Sequence, residues 1–292
     1  MSFFKKQILQ KINENLSPPM EINNFLSDEE VKTILEYMNT LKNNMVERDE
    51  STKISFNFND HKILKNIESK VKSLIGDFYV HDFKPHFHIS RYPLRIHADT
   101  GKNPNDIIFK NVLIPLEIKS KNKSLVHTII FKNKWFDQSA LFTTKTNKSF
   151  DHVIKDQDGI FRDIVDIRDF LKILLSKNDG EKFKYQDGYY LKDKIFLKYI
   201  EDLSIAKRYN LRTNKHLKTN RDFNKNLYNK YMSHQPYEDL KGMEIEKVFK
   251  WKPGSLFIWD RVHIHSSDNF LKDSNLESKT FIAFFTSKTK NS

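Results

Sequence analysis

Two blocks of strand-like sequence, residues 78–134 and 241–288, stand on either side of the long segment 135–240, and a fold must bring them together. Within the blocks short apolar runs, several alternating with polar residues, carry a strand signal: Tyr79–Phe83, Phe87–Tyr92, Ile107–Ile118, Ser124–Phe131, Glu244–Phe249, Ser255–Trp259 and Lys279–Thr286. Pro115 is expected to interrupt the third of these, because proline gives a sheet no donor. Turn chemistry at Lys252-Pro-Gly254 and around Asp268–Ser278 separates the last three. Short strands in two distant groups fit an open antiparallel barrel or a jelly roll, in which early and late strands lie side by side.

The first 77 residues carry a different period. Phe3, Phe4, Ile8, Leu9 and Ile12 predict a short helix that ends before Pro18-Pro19. Ser27 with Glu30 three residues on is a capping box, and Val31, Ile34, Leu35, Met38 and Leu41 follow at helical spacing. A third helix is expected over His61–Ile75. Segment 135–240 reads as a helical and irregular insertion in a single 1–292 domain, with a helix at Ile164–Leu175 and a Lys/Asn-rich run from Ala206 to Lys230.

Composition removes several function classes. There is no Cys, so disulfides and thiolate metal sites are excluded, and any metal must be held by His and carboxylates. The net charge of +12 invites a nucleic-acid partner. Only nine of the 50 basic residues are Arg, however, while Lys and Asn abound and Ala is scarce. That bias accumulates surface Lys without a partner, so nucleic acid is not the expected ligand. No apolar run approaches the roughly 18–20 residues of a membrane helix, and the N-terminus does not read as a secretory leader. A soluble, cytoplasmic protein with no membrane partner and a small-molecule substrate is the expectation. The oligomeric state is open.

The chemistry-bearing stretch is Ser90–Gly101, which delivers His97 and Asp99 where a strand should end. Alone, a His-x-Asp pair is near chance frequency, and Asp99 can equally bond the Gly101 backbone in a turn. A second stretch, Trp251–Phe270, supplies His265. Two imidazoles and one carboxylate on one face of an octahedral ion leave the opposite positions open, the ligand set of non-haem Fe(II) oxygenases. A jelly roll can bring residues 97 and 265 together. His263 competes with His265 from the same strand face. His81, His86 and His88 form a rival cluster without a well-spaced third ligand. Asp260 and Arg261 are expected to make a local ion pair or turn. Ile96, Phe257, Ile258 and Trp259 are candidate apolar walls; Trp135 and Trp251 are expected in the core. If an acidic co-substrate chelates the metal, a buried cation must meet its far carboxylate. Lys279 is the first candidate, since Phe281, Ala283 and Phe285 share its face by alternation. Arg91 and Arg95, on the parity of His97, are the competitors, and Asn269 is a further polar candidate.

The runs Arg95–Gly101, Asn111–Glu117, His127–Phe131, Trp251–Phe270 and Lys279–Thr286 resemble the Fe(II)/2-oxoglutarate-dependent oxygenases, of the phytanoyl-hydroxylase-like or phage and marine-microbe type. The resemblance spans roughly residues 78–140 and 230–288. It implies a double-stranded β-helix (jelly-roll) core, Fe(II), O2 and 2-oxoglutarate, and release of succinate and CO2. The family's iron ligands map onto His97, Asp99 and His265. The family often places Arg in the final strand; here the basic residue is Lys279, 14 residues past His265. The carboxylate ligand implies hydroxylation in place of halogenation. Two rival readings are a jelly-roll protein that binds a ligand without catalysis and a nucleic-acid demethylase, although the demethylases' Arg-rich tail motif is missing.

Overall fold

The helices come first, and the second and third have side-chain caps. In the computed structural model, α1 spans Lys6–Glu14, α2 Asp28–Thr40 and α3 Lys62–Ile75. The structure describes residues 3–41, 45–47, 51–80, 84–101, 103–120, 126–144, 152–155, 161–164, 182–185, 188–191, 211–272 and 276–290. Ser27 Oγ accepts from the Glu30 amide at 3.1 Å while Glu30 Oε2 accepts from the Ser27 amide at 2.9 Å, so the capping box closes as read. His61 caps α3 through Nδ1, which accepts from the Ile63 amide at 3.2 Å.

The strands are β1 Met20–Ile22, β2 Met45–Glu47, β3 Ser51–Ser55, β4 His86–Ser90, β5 His97–Ala98, β6 Ile108–Ser120, β7 His127–Lys134, β8 Ala140–Phe142, β9 His152–Lys155, β10 Phe161–Ile164, β11 Lys182–Tyr185, β12 Gly188–Leu191, β13 Leu211–Thr213, β14 Ile245–Lys250, β15 Leu256–Asp260, β16 His263–Ser267 and β17 Leu276–Ser287. Among the described residues they make a large sheet in the order β1-β15-β6-β17-β4-β3-β2 and a facing sheet in the order β13-β8-β5-β16-β7-β14. The eight strands β4–β7 and β14–β17 wind between the two sheets, so that β4, β6, β15 and β17 lie in one and β5, β7, β14 and β16 in the other. This is a double-stranded β-helix, the jelly roll expected from the resemblance. Strands β9–β12 form a small antiparallel sheet of their own.

Three apolar clusters follow from alternation. Leu113, Phe257, Phe281 and Ala283 of the large sheet meet Ile130 and Phe249 of the other inside the roll. The opposite face of the large sheet, with Val112, Ile114, Ile258, Ile282 and Phe284, is covered by α2 and α3. The outer face of the smaller sheet, with Ile96, Ile129, Phe131 and Ile264, is covered by residues 223–243.

Several expectations need correction. Pro115 does not interrupt its strand: β6 runs on to Ser120 because a register shift opposite Thr280/Phe281 absorbs the missing donor. The Pro115 carbonyl still accepts from the Gly254 amide at 2.9 Å. The C-terminal block holds a fourth strand, β16, which carries His263 and His265. Segment 135–240 is not only helical and irregular: β8 and β13 join the core sheet, and Ile164 ends β10. The rest of the expected Ile164–Leu175 helix lies outside the described residues, as do residues 81–83, including His81. Of the Tyr79–Phe83 strand, Tyr79 makes an isolated bridge to Ser287. No described helix is long and apolar enough to cross a membrane.

Candidate metal centre

Strands β5 and β16 pair antiparallel with His97 opposite His265, which sets the two imidazoles side by side, ring centroids 4.2 Å apart. Asp99 lies two residues beyond His97, where the strand has ended. Its Oδ2 is 3.1 Å from His265 Nε2 and 3.7 Å from His97 Nε2. One ligand atom from each of the three residues lies within 4.8 Å of the others, a spacing that can hold a metal ion.

The orientation of the rings is fixed from behind. His97 Nδ1 donates to the Arg95 carbonyl at 2.7 Å and His265 Nδ1 to the His263 carbonyl at 3.0 Å. Both bonds assign the proton to Nδ1 and leave the Nε2 lone pairs facing the shared point, the arrangement in which histidines ligate metals. The charge states agree. Burial, followed by the nearby His265, pushes the His97 imidazole down to about 4, so it is neutral at physiological pH. Burial alone would raise Asp99, but His97, His265 and Arg261 together hold its carboxyl well below the usual range. Metals bind neutral imidazole and ionised carboxylate, so neither group has to lose a proton near neutral pH.

Arg261 is the residue whose role the sequence concealed. Adjacency predicts that it pairs with Asp260. Instead Asp260 pairs with Lys110 and accepts from the Ser17 amide at 3.1 Å. Arg261, 1% exposed, turns the other way, with Nη1 3.6 Å from Asp106 Oδ2 and Nε donating to the Asp99 carbonyl at 2.8 Å. It ties the main chain of a candidate ligand to the core. Nor does Asp99 close the Gly101 turn: the Gly101 amide donates to Ser139 Oγ at 2.7 Å.

The other candidates separate by position. His263 lies 3.2 Å from Glu246 Oε2 and 3.6 Å from Asp260 Oδ2, outside the triad. His86 and His88 are buried on the inner face of β4, with His88 stacked on Phe281 at 4.7 Å. Of the proposed walls, Phe257 and Trp259 face the interior, and Trp259 meets His265 edge-on at 5.0 Å. Ile96 and Ile258 do not, because they point to the outer faces of their sheets.

Lys279 is inward as alternation required. It is 2% exposed, its Nζ donates to Ser267 Oγ at 3.0 Å, and Trp251 and Phe270 flank the ammonium at 4.4 and 4.7 Å. Ser267 is two residues beyond His265 on β16. Burial pushes the Lys279 ammonium down to about 8, against the pull of Asp268. Arg91 donates to Thr52 Oγ1 at 3.0 Å, while the Arg95 side chain is exposed. Asn269 donates to Ser233 Oγ at 2.8 Å. A cleft of about 450 Å³ lined by Lys134, Trp135, Lys215, His216 and Ile264 opens on the outer face of β16, on the opposite side from His265.

No family model matches the chain, and neither does any curated protein. Similar solved structures include the epimerase SnoN in complex with Fe3+, alpha ketoglutarate and nogalamycin RO, at 8% identity and a TM-score of 0.44 over 96% of this chain and 83% of that one. A Pseudomonas putida prolyl-4-hydroxylase aligns at 6% identity and a TM-score of 0.40 over 97% of this chain and 100% of its own. EctD from S. alaskensis, with 2-oxoglutarate and 5-hydroxyectoine, aligns at 9% identity and 0.40 over 98% and 77%.

Proposed function

We propose that this protein is an Fe(II)- and 2-oxoglutarate-dependent dioxygenase that hydroxylates a small-molecule substrate. The observation that carries the reading is the convergence of His97, Asp99 and His265 where β5 pairs with β16, with both Nδ1 protons already committed to carbonyls. The donor set suits a ferrous ion, since three protein ligands leave positions for a chelating co-substrate. Bound Fe(II) and 2-oxoglutarate supply an oxidant made from O2, with release of succinate and CO2.

The chain's part is position and dryness. His97, Asp99 and His265 hold the ion. Lys279 sits on the same side of the roll as His265 and offers its ammonium to the distal carboxylate; Ser267, its present partner, is a second hydroxyl contact. Trp251, Phe270 and Phe281 exclude water around that pair, which strengthens any ion pair formed there. Arg91, Arg95 and Asn269 have less claim, because two of them serve other partners and the third faces solvent. The segment 135–240 is assigned the role of shaping the substrate entrance.

The test is thermal denaturation with Mn(II) and 2-oxoglutarate under anaerobic conditions, followed by succinate release with Fe(II) and O2. One metal per chain and a co-substrate-dependent rise in melting temperature are expected. Both should disappear in His97→Ala and persist in His263→Gln. A wild-type protein stabilised by neither compound would remove the proposal.

A further inference from the structure

Among the described residues, the inner wall of the large sheet carries polar atoms with no protein partner beside the candidate metal centre. Asn111 lies on β6, where Val112 and Ile114 pack toward the helices and Leu113 packs into the roll. By alternation Asn111 faces inward with Leu113. It is 1% exposed, and neither Oδ1 nor Nδ2 has a hydrogen-bond partner. Its paired residue on β15 is Trp259, 4% exposed, whose Nε1 is also without a partner. The paired residue on the other side is Phe285, which has no polar side-chain atom to offer.

A buried carboxamide without partners is costly, and so is a buried indole N–H. Leucine and phenylalanine at these two positions would continue the surrounding core of Leu113, Phe257 and Phe281 at no such cost. The polar atoms are therefore kept for something other than the empty fold. Trp259 stands edge-on to His265, which places the pair one side chain from the metal ligands.

We infer that Asn111 and Trp259 are the hydrogen-bond donors for the metal-chelating carboxylate of a 2-oxo acid, an inference that rests on the function proposed above. The chemistry matches by count. Asn111 Nδ2 and Trp259 Nε1 are two neutral N–H donors on adjacent strands, and a carboxylate presents two acceptor oxygens. Lys279 with Ser267 forms a separate donor set on β17 and β16. A diacid such as 2-oxoglutarate has one carboxylate for each set, whereas a 2-oxo monoacid engages only the Asn111–Trp259 set.

The experiment uses the full chain loaded with Mn(II). Calorimetric titrations with Mn(II), and then with 2-oxoglutarate and with pyruvate, are made on wild type, Asn111→Leu and Trp259→Phe. Each variant should bind Mn(II) as wild type does and lose roughly three- to tenfold in affinity for both acids. Metal-free Asn111→Leu should melt at or above the wild-type temperature, the sign opposite to that of a structural polar residue. Unchanged affinity for the acids in both variants overturns the inference and leaves the proposed function standing. So does an Asn111→Leu protein that melts lower yet binds the acids normally. If Mn(II)-loaded wild type binds neither acid, the proposed function fails and this inference falls with it. Should Asn111→Leu not fold, Trp259→Phe decides alone.

Discussion

Replacing Arg261 with Met separates the fold from the candidate metal centre, because the guanidinium serves both. It is buried, with Nη1 near Asp106, Nε on the Asp99 carbonyl at 2.8 Å and Nη1 on the Thr286 carbonyl at 3.3 Å. Removing one member of a buried charge pair leaves the other in a poorly solvating interior, a loss of about 3–5 kcal/mol. Asp106 is 1% exposed and also accepts from Ser287 Oγ, so the lower end of that range applies. Urea denaturation of metal-free Arg261→Met should therefore show a loss of about 3 kcal/mol. The second effect is local. Freed of its anchor, the Asp99 main chain can move its carboxylate off the point shared with His97 and His265. Contacts of this supporting kind are worth about 10- to 100-fold in metal affinity. The double variant Arg261→Met/Asp106→Leu distinguishes the effects, since replacing both partners of a buried pair with apolar groups is often nearly neutral. Stability should recover in the double variant while Mn(II) affinity, measured by calorimetry, stays low. An Arg261→Met protein that is destabilised yet binds Mn(II) as wild type would refute the positioning argument. Recovery of affinity together with stability would refute it too.

Two other perturbations test the frame and the interior. Lys279 has its pKa lowered from 10.5 to about 8 by burial, so between those values the unfolded chain carries more protons than the native one. Stability of the ligand-free protein should then rise with pH across that window, and melting curves of Lys279→Met from pH 7 to 10 should lack the rise. Gly254 has φ +78, and a Cβ there would meet the Leu26 carbonyl oxygen at 2.6 Å. Gly254→Ala should cost at least about 1–2 kcal/mol in urea denaturation while leaving Mn(II) affinity unchanged.

Parts of the candidate site were legible because they depend on local rules. The parity of a strand places Lys279 with Phe281 and Ala283, and parity survives bulges that lie on the partner strand. His97 and Asp99 could be read as a pair because one strand end carries both. The preference for His265 over His263 comes from the family resemblance, through the Ser266-Ser-Asp-Asn-Phe270 run beyond it, and the bounds of β16 are not readable locally: five residues containing two His and two Ser give no apolar period. Its two His remain buried because their neighbours come from other strands, which is tertiary information. Ile96 and Ile258 do not serve as walls for a related reason. Their sequence neighbourhood is the site's, but each points to the outer face of its sheet, away from the adjacent ligand or aromatic.

The ionic core shows where reading by adjacency fails. Asp260 and Arg261 are neighbours in a chain that changes sheets between β15 and β16. Asp260, the last residue of β15, looks toward Lys110 on the adjacent β6, while Arg261, in the turn, looks toward Asp99 and the ends of β6 and β17. Consecutive charges of opposite sign thus serve two different networks. One joins α1's C-terminal connection, through Asn15 and Ser17, to the large sheet by way of Lys110. The other fixes the loop that carries Asp99, a candidate metal ligand. Substituting Asp260 should accordingly loosen the N-terminal segment, whereas substituting Arg261 should loosen the candidate metal centre, although the two residues are joined by a single peptide bond.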